Sequence, residues 1–354
     1  MKELFLSKDN YQKWIRTLSE SVSLYAPVQK EDFLFYERIT EENIDKVVLD
    51  TKRTIHPLKS FFTPAQRKVV EYFDSPLEPS GEKRIILGAK NCDLSALKIS
   101  DSVYMGEKFG AEYKDPFYIQ TRENTLIISS DCTLPDENCF CNLVGSKPFP
   151  EEGFDLNFST LEGGFIVQVG SEKGEEFIKQ YESFFTQIEE GMIKKREKKR
   201  EKVLRILEKN NKEFKTKLPY RELIKESYDS PVWKEHSEAC VDCGGCNQIC
   251  PTCRCFLLFD VKKGEKYERF YLWDACLFTG FARVAGGANP RPLLYQRFSN
   301  RLFCKFYFFP ENINLDACTG CGRCIAVCPG KIDMRKVFRD LAVERKIPVG
   351  FEDE

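Results

Sequence analysis

The sequence predicts a mixed α+β or α/β N-terminal domain, joined by a charged helix to a small, cysteine-built C-terminal domain that carries a large insertion. Three observations predict it. Up to about residue 190, short apolar runs alternate with stretches of helical spacing. Residues 189–217 form a long charged run (EEGMIKKREKKREKVLRILEKNNKEFKTK). From about residue 226 the composition shifts to Cys and Gly, and one cysteine spacing occurs twice. The expected boundaries are 1–188 for the mixed α/β domain, 189–225 for the charged helical linker and 226–354 for the cysteine domain.

Within the first part, Arg84 to Ala89 is a short apolar run and reads as a buried strand. Asp93 to Ser100 has an acidic start and helical spacing. Thr125 to Ser129 and Gly164 to Gly170 read as further strands, and Glu172 to Thr186 as a helix. The few apolar residues of the charged run, Ile193, Val203, Leu204, Ile206 and Leu207, crowd its second half. The expectation is a long exposed helix between two domains, with a basic docking surface as the alternative.

The repeated spacing is Cys240-x2-Cys243-x2-Cys246-x3-Cys250-Pro251 and Cys318-x2-Cys321-x2-Cys324-x3-Cys328-Pro329. Three thiolates two residues apart can wrap one cubane. The fourth, set off by three residues and followed by proline, ligates the other cluster. Two such runs complete each other and predict a ferredoxin-like two-cluster domain. One 4Fe-4S cluster falls to Cys240, Cys243, Cys246 and Cys328, the second to Cys318, Cys321, Cys324 and Cys250. A structural zinc takes four ligands in separate pairs, which leaves the third and fourth cysteines and both prolines unexplained. Gly244, Gly245, Gly320 and Gly322 are expected to let backbone N–H groups approach cluster sulfur. Arg323, between two ligands, is expected at the surface, with a contribution to cluster charge as the alternative.

A third 4Fe-4S site is expected in the first part. Cys92 follows one predicted strand and Cys132 another. If the strands are parallel neighbours, both loops leave one sheet edge, where α/β proteins place their sites. Cys139 and Cys141, two residues apart, can face the same way. The alternative is four buried thiols packing as small hydrophobes. Cys253, Cys255, Cys276 and Cys304 lie among the 67 residues between Cys250 and Cys318. They are expected to wall the ferredoxin clusters, with a fourth cluster as the alternative. The loop TKRTIHPLKSFF, with Arg53, His56 and Lys59, is read as lying on the core, or else as holding a flavin or a partner's acidic edge.

The bulk composition excludes several classes. The chain has 354 residues, a net charge of −1 and a pI near 6.3, which gives no reason to expect nucleic acid. Two histidines, His56 and His236, exclude a site built mainly from imidazole and leave no convincing catalytic base. No apolar leader opens the sequence and no stretch approaches the ~18 residues of a membrane span. Sixteen cysteines without an export signal fit a reducing cytoplasm. No GxGxxG run follows a strand and no GxxxxGK[ST] exists, so nicotinamide binding is not expected here.

Stretches along nearly the whole chain resemble the beta subunit of cytoplasmic sulfhydrogenases (NADP-linked hydrogenase/sulfur reductase) and the related A subunit of anaerobic sulfite reductase. They are LYAPV at 24–28, RTIHPLKSFF at 53–62, GAKNCD at 88–93, DENCFCN at 136–142, CVDCGGCNQICPTCRCF at 240–256, WDAC at 273–276, AGGANPRP at 285–292 and CTGCGRCIAVCP at 318–329. Cys304, in NRLFCK, looks more like the sulfhydrogenase branch. The resemblance implies an iron–sulfur electron conduit without a catalytic site of its own, in a hetero-oligomer. A flavoprotein partner resembling ferredoxin–NADP reductase would hold flavin and nicotinamide. A further partner would hold the catalytic metal, a nickel-iron hydrogenase pair or a sirohaem sulfite reductase subunit. A reductase that binds substrate at its own N-terminal cluster is the alternative of a different class.

Overall fold

In the computed structural model, which describes residues 2–74, 77–106 and 110–351, the first part is built on an eight-stranded mixed sheet. Its strands are β1 (Glu3–Ser7), β2 (Ser23–Lys30), β3 (Phe33–Arg38), β5 (Arg84–Ala89), β6 (Thr125–Ser130), β7 (Leu156–Leu161), β8 (Gly164–Val169) and β9 (Thr186–Gln187). A further strand, β4 (Gln66–Glu71), lies elsewhere. The order across the sheet is β3-β2-β5-β6-β7-β8-β1-β9. The central pairs β2–β5, β5–β6 and β6–β7 are parallel; the others are antiparallel.

Both sheet faces are covered, and the alternation along β5, shifted by one at the irregularity between Leu87 and Ala89, shows it. Ile85 and Leu87 pack into one core with Trp14, Ile15 and Leu18 of the helix Lys8–Ser21. Ile86 and Ala89 pack into another with Leu94, Leu97 and Tyr118. The helix Lys8–Ser21 buries positions 11, 14, 15 and 18, one helical stripe, and starts where Ser7 Oγ accepts from Asn10 N at 3.2 Å. The helix Asn91–Tyr104 leaves directly from the end of β5.

The charged run does form a helix, Met192–Asn211, but it is not free of the body. Arg196, Val203, Leu207 and Asn211 are buried on one face, against β7 and the turn Cys141–Val144. Arg200 Nε donates to Asp131 Oδ2 at 2.8 Å, and Arg196 Nη1 to Glu3 Oε1 at 2.6 Å. The sparse apolar residues of this run make a seam, and the lysines take the outer face.

The cysteine-rich part has its own core, in which Tyr220, Leu223, Trp233, Leu302, Phe306 and Phe338 are buried together. The residues between the two cysteine runs carry a hairpin, β10 (Phe256–Lys263) and β11 (Lys266–Trp273). β11 also pairs antiparallel with β4, so a strand from the first part completes the sheet β10-β11-β4. The helix Leu294–Phe303 runs on through a π turn, Cys304–Phe308. No helix among the described residues is long and apolar enough to cross a membrane.

Candidate metal centres

The two cysteine runs place short helices, Gly245–Gln248 and Arg323–Ala326, against each other. Cys240, Cys243, Cys246 and Cys328 line one cavity, closed by Leu277, Phe298 and Ile332. Cys318, Cys321, Cys324 and Cys250 line a second, closed by Phe140, Phe306 and Phe338. Each cavity thus takes its fourth thiol from the other run. Cys324, Arg301 and Met334 belong to the walls of both.

The third set of thiols is also gathered. Cys92 follows β5, Cys132 follows β6, and these strands are parallel neighbours, with Arg84 opposite Thr125. Both loops therefore leave the same edge. Cys139 and Cys141 arrive from the loop beyond, and all four line one cavity with Arg53, Lys90, Leu207 and Cys321. Leu207 comes from the charged helix. Cys321, a thiol of the second cavity, stands in this wall too, and Cys139 Sγ lies 3.7 Å from its carbonyl oxygen.

A thiolate-ligated cluster is anionic, so its walls should hold donors and positive charge. They do. Lys90 Nζ is fully engaged, donating to Leu49 O, Ser130 Oγ and Asp131 O at 2.8–2.9 Å. Arg53 is buried and donates from Nε to Cys321 O, while its Nη2 has no hydrogen-bond partner. A buried cationic nitrogen without an acceptor fits an anion in the cavity beside it. Arg301 Nη2 donates to Cys246 O at 3.2 Å, and Lys305 Nζ to Cys250 Sγ at 3.3 Å. Burial pushes the thiols of Cys139 and Cys318 up to about 12 and that of Cys246 up to about 11. Bound metal reverses that preference, because a coordinated thiol loses its proton. Among the described residues no group of three or more His, Cys, Asp or Glu is placed to hold a single metal ion. The thiols stand round cavities, as a cubane with a volume of its own requires.

One detail differs from the expectations and two others fill them in. Arg323 is not a surface residue: it is 1% exposed and pairs bidentately with Asp93, at 2.9 and 2.8 Å, while Nε donates to Thr54 O and Ile55 O. The helix Asn91–Tyr104 supplies a carboxylate at its start, and the second run supplies the cation that neutralises it. Gly320 meets its expectation, its backbone N–H donating to the Cys318 thiol, and the glycines serve packing as well. A Cβ on Gly320 would lie 2.5 Å from Cys141 Cα, and one on Gly322 2.2 Å from Asn138 O. Only Gly245 has a ligand sulfur nearest its open face, Cys243 Sγ at 3.6 Å. The loop 51–62 lies on the core, as the sequence reading has it, with Leu58 and Phe62 buried, Arg53 at the third cavity and Lys59 Nζ donating to Cys253 O at 3.1 Å, over the Trp273 ring.

Of the four remaining cysteines, Cys253 stands against the second ferredoxin cavity, its thiol hydrogen-bonded to Cys250, but Cys253, Cys255, Cys276 and Cys304 are not dispersed around the two clusters. They line one cavity of their own. The sequence carries a signal for half of this, the two-residue spacing of Cys253 and Cys255. Nothing local in it says that Cys276 and Cys304 join them.

Residues 239–332 match a family model described as a 4Fe-4S dicluster domain. The chain is 33% identical over 347 residues to the sulfhydrogenase 2 subunit beta of Pyrococcus furiosus, covering 96% of this chain and 98% of that one. It is 24% identical over 202 residues to the F420-dependent formate dehydrogenase subunit beta of Methanocaldococcus jannaschii, covering 55% of this chain and 43% of that one.

Proposed function

The chain belongs to the sulfhydrogenase beta-subunit family, and from that premise we propose that it passes single electrons between two partners. It is an iron–sulfur electron-transfer subunit of an oxidoreductase. On the proposed reading one partner is a flavoprotein resembling ferredoxin–NADP reductase, which takes hydride from a nicotinamide. The other carries a nickel-iron hydrogenase or sulfur reductase centre. The assembly is a cytoplasmic hetero-oligomer, and residues 226–354 act as its dicluster domain, tied to residues 1–188 through 189–225. The ligands are Cys240, Cys243, Cys246 and Cys328 for one 4Fe-4S cluster, Cys318, Cys321, Cys324 and Cys250 for the next, and Cys92, Cys132, Cys139 and Cys141 for a third.

One observation carries this reading: neighbouring thiol-lined cavities share walls. Cys324 stands between the first and second, Cys321 between the second and third. A cluster held by four thiolates keeps no coordination position for substrate, which favours transfer over chemistry on the chain itself. What this chain's residues contribute is placement, exclusion of water by Leu, Ile and Phe side chains, and fixed positive charge from Arg301, Lys305 and Arg53.

The test uses the assembled complex with Cys246→Ser. Iron in this chain should fall by about four per cluster lost, and electron flow from reduced nicotinamide to the terminal acceptor should stop while the subunits stay associated. Full electron flow in that variant refutes the relay.

A further inference from the structure

We propose that Cys253, Cys255, Cys276 and Cys304 hold a fourth 4Fe-4S cluster, placed against the second ferredoxin cluster. The inference concerns a site beyond those of the relay described above and does not depend on which reaction that relay serves.

The chain brings these thiols together by three separate devices. Cys253 and Cys255 lie in the segment after Pro251, two residues apart. Cys255 immediately precedes β10, and the hairpin register sets Phe256 opposite Trp273. Asp274 N donates to Cys255 O at 2.9 Å, so Cys276 arrives beside Cys255. Cys304 opens the π turn at the end of Leu294–Phe303. Such turns re-aim side chains within a helix and recur at functional sites. Here Cys304 and Lys305 both reach the cavity wall.

The surroundings are those of an anionic cluster. Asn247 is buried, and its amide donates to Cys276 Sγ at 3.1 Å and Cys253 Sγ at 3.8 Å. Amide donors to sulfur are the groups that tune such clusters. Arg254 lines the cavity with its guanidinium 4.4 Å from the Phe309 ring centroid. Its Nη1 and Nη2 are both buried with no hydrogen-bond partner. A guanidinium left so costs free energy unless a negative body sits beside it. Arg301 and Lys305 complete the positive wall. Cysteines that merely filled space would need neither the amide nor the three cations.

Arg301 and Lys305 also wall the second ferredoxin cavity, and Lys305 Nζ donates to its thiol Cys250. One electron leaving the second cluster for the fourth oxidises the former and reduces the latter by one, with no bond made or broken.

The experiment is an iron and sulfide count on the full chain, reconstituted without oxygen, beside Cys276→Ser, Cys255→Ser and Cys246→Ser. Four clusters give about sixteen iron and sixteen sulfide, and three give about twelve. The expected result is about sixteen for the wild type, about twelve for either insertion variant, and about eight when Cys246→Ser is added to Cys276→Ser. The twelve retained irons report that the variant has folded. An iron count that Cys276→Ser and Cys255→Ser leave at the wild-type level overturns the proposal, as does about one zinc per chain that Cys276→Ser abolishes; a wild type of about twelve from which either variant removes about four supports this site and tells against the third instead. A wild-type count of sixteen with failed electron flow in the complex would sink the relay reading and leave this site standing.

Discussion

Arg323→Met tests whether the two parts of the chain are joined by a buried charge pair. In the native structure the guanidinium donates twice to Asp93 and also to Thr54 O and Ile55 O, and both charged side chains are essentially sealed from water. Removing one partner leaves an uncompensated buried carboxylate, a loss of about 3–5 kcal/mol. A surface arginine at this position would cost under about 0.5 kcal/mol. The two cases differ by a factor of hundreds in the folded-to-unfolded ratio, at roughly 1.4 kcal/mol per tenfold. Replacing both partners with apolar groups, Arg323→Met with Asp93→Leu, should recover most of the loss, since an ion pair exchanged for hydrophobes of similar volume is often neutral. The assay is urea denaturation without oxygen, followed by far-UV circular dichroism, with the midpoint compared at unchanged slope. Because Asp93 follows Cys92, third-site iron should be lost at lower urea than iron of the other sites. A single variant as stable as the wild type, or a double variant no better than the single, refutes the reasoning.

Other substitutions probe the separate parts. Leu207→Ala opens a void beside Cys139 and Cys141 and should cost about 2–5 kcal/mol; iron analysis should show selective loss of about four irons. Gly320→Ala must place a methyl 2.5 Å from backbone at φ +61° and should cost more than the roughly 1–3 kcal/mol of conformational strain alone. Gly264→Ala, also at positive φ but in open space, should cost only about 1 kcal/mol; equal melting of the two would discredit the packing argument. Lys305→Met removes a cation and a charged donor to Cys250 Sγ. The second cluster should then become harder to reduce, by on the order of 60 mV for one charge-assisted hydrogen bond of about 1.4 kcal/mol. A redox titration followed by electron paramagnetic resonance reads it, and an unmoved or raised potential would be the contrary result.

The legible part of this fold is the part written in local spacing. The ferredoxin-type cysteines repeat a short pattern, so sequence alone pairs them crosswise, as the two cavities do. The strands at 84–89, 125–129 and 164–170 were visible because apolar residues run together there. Cys92 and Cys132 were traceable because each follows such a strand, and two parallel neighbours end at one edge. What the sequence hid is what register and long-range packing decide. Cys276 joins Cys255 only through the hairpin that sets Phe256 opposite Trp273. Arg323 read as a surface residue because its partner, Asp93, lies 230 positions away. The charged helix looked free, since a seam of Val203, Leu207 and Asn211 is too thin to outweigh its lysines in composition.

Phe140 N donates to Gly320 O at 2.8 Å, and Arg335 Nη1 donates to both Glu137 O and Asn211 Oδ1. The loop 136–142 is thus seated on the second cysteine run as a plug is seated in a socket. A chimera that imported residues 226–354 from a relative would inherit the socket and meet a foreign plug. Exchange between relatives should succeed only when the loop 136–142 and the inward-facing stretch 53–59 travel with the graft, so that recombination has few places to cut this chain.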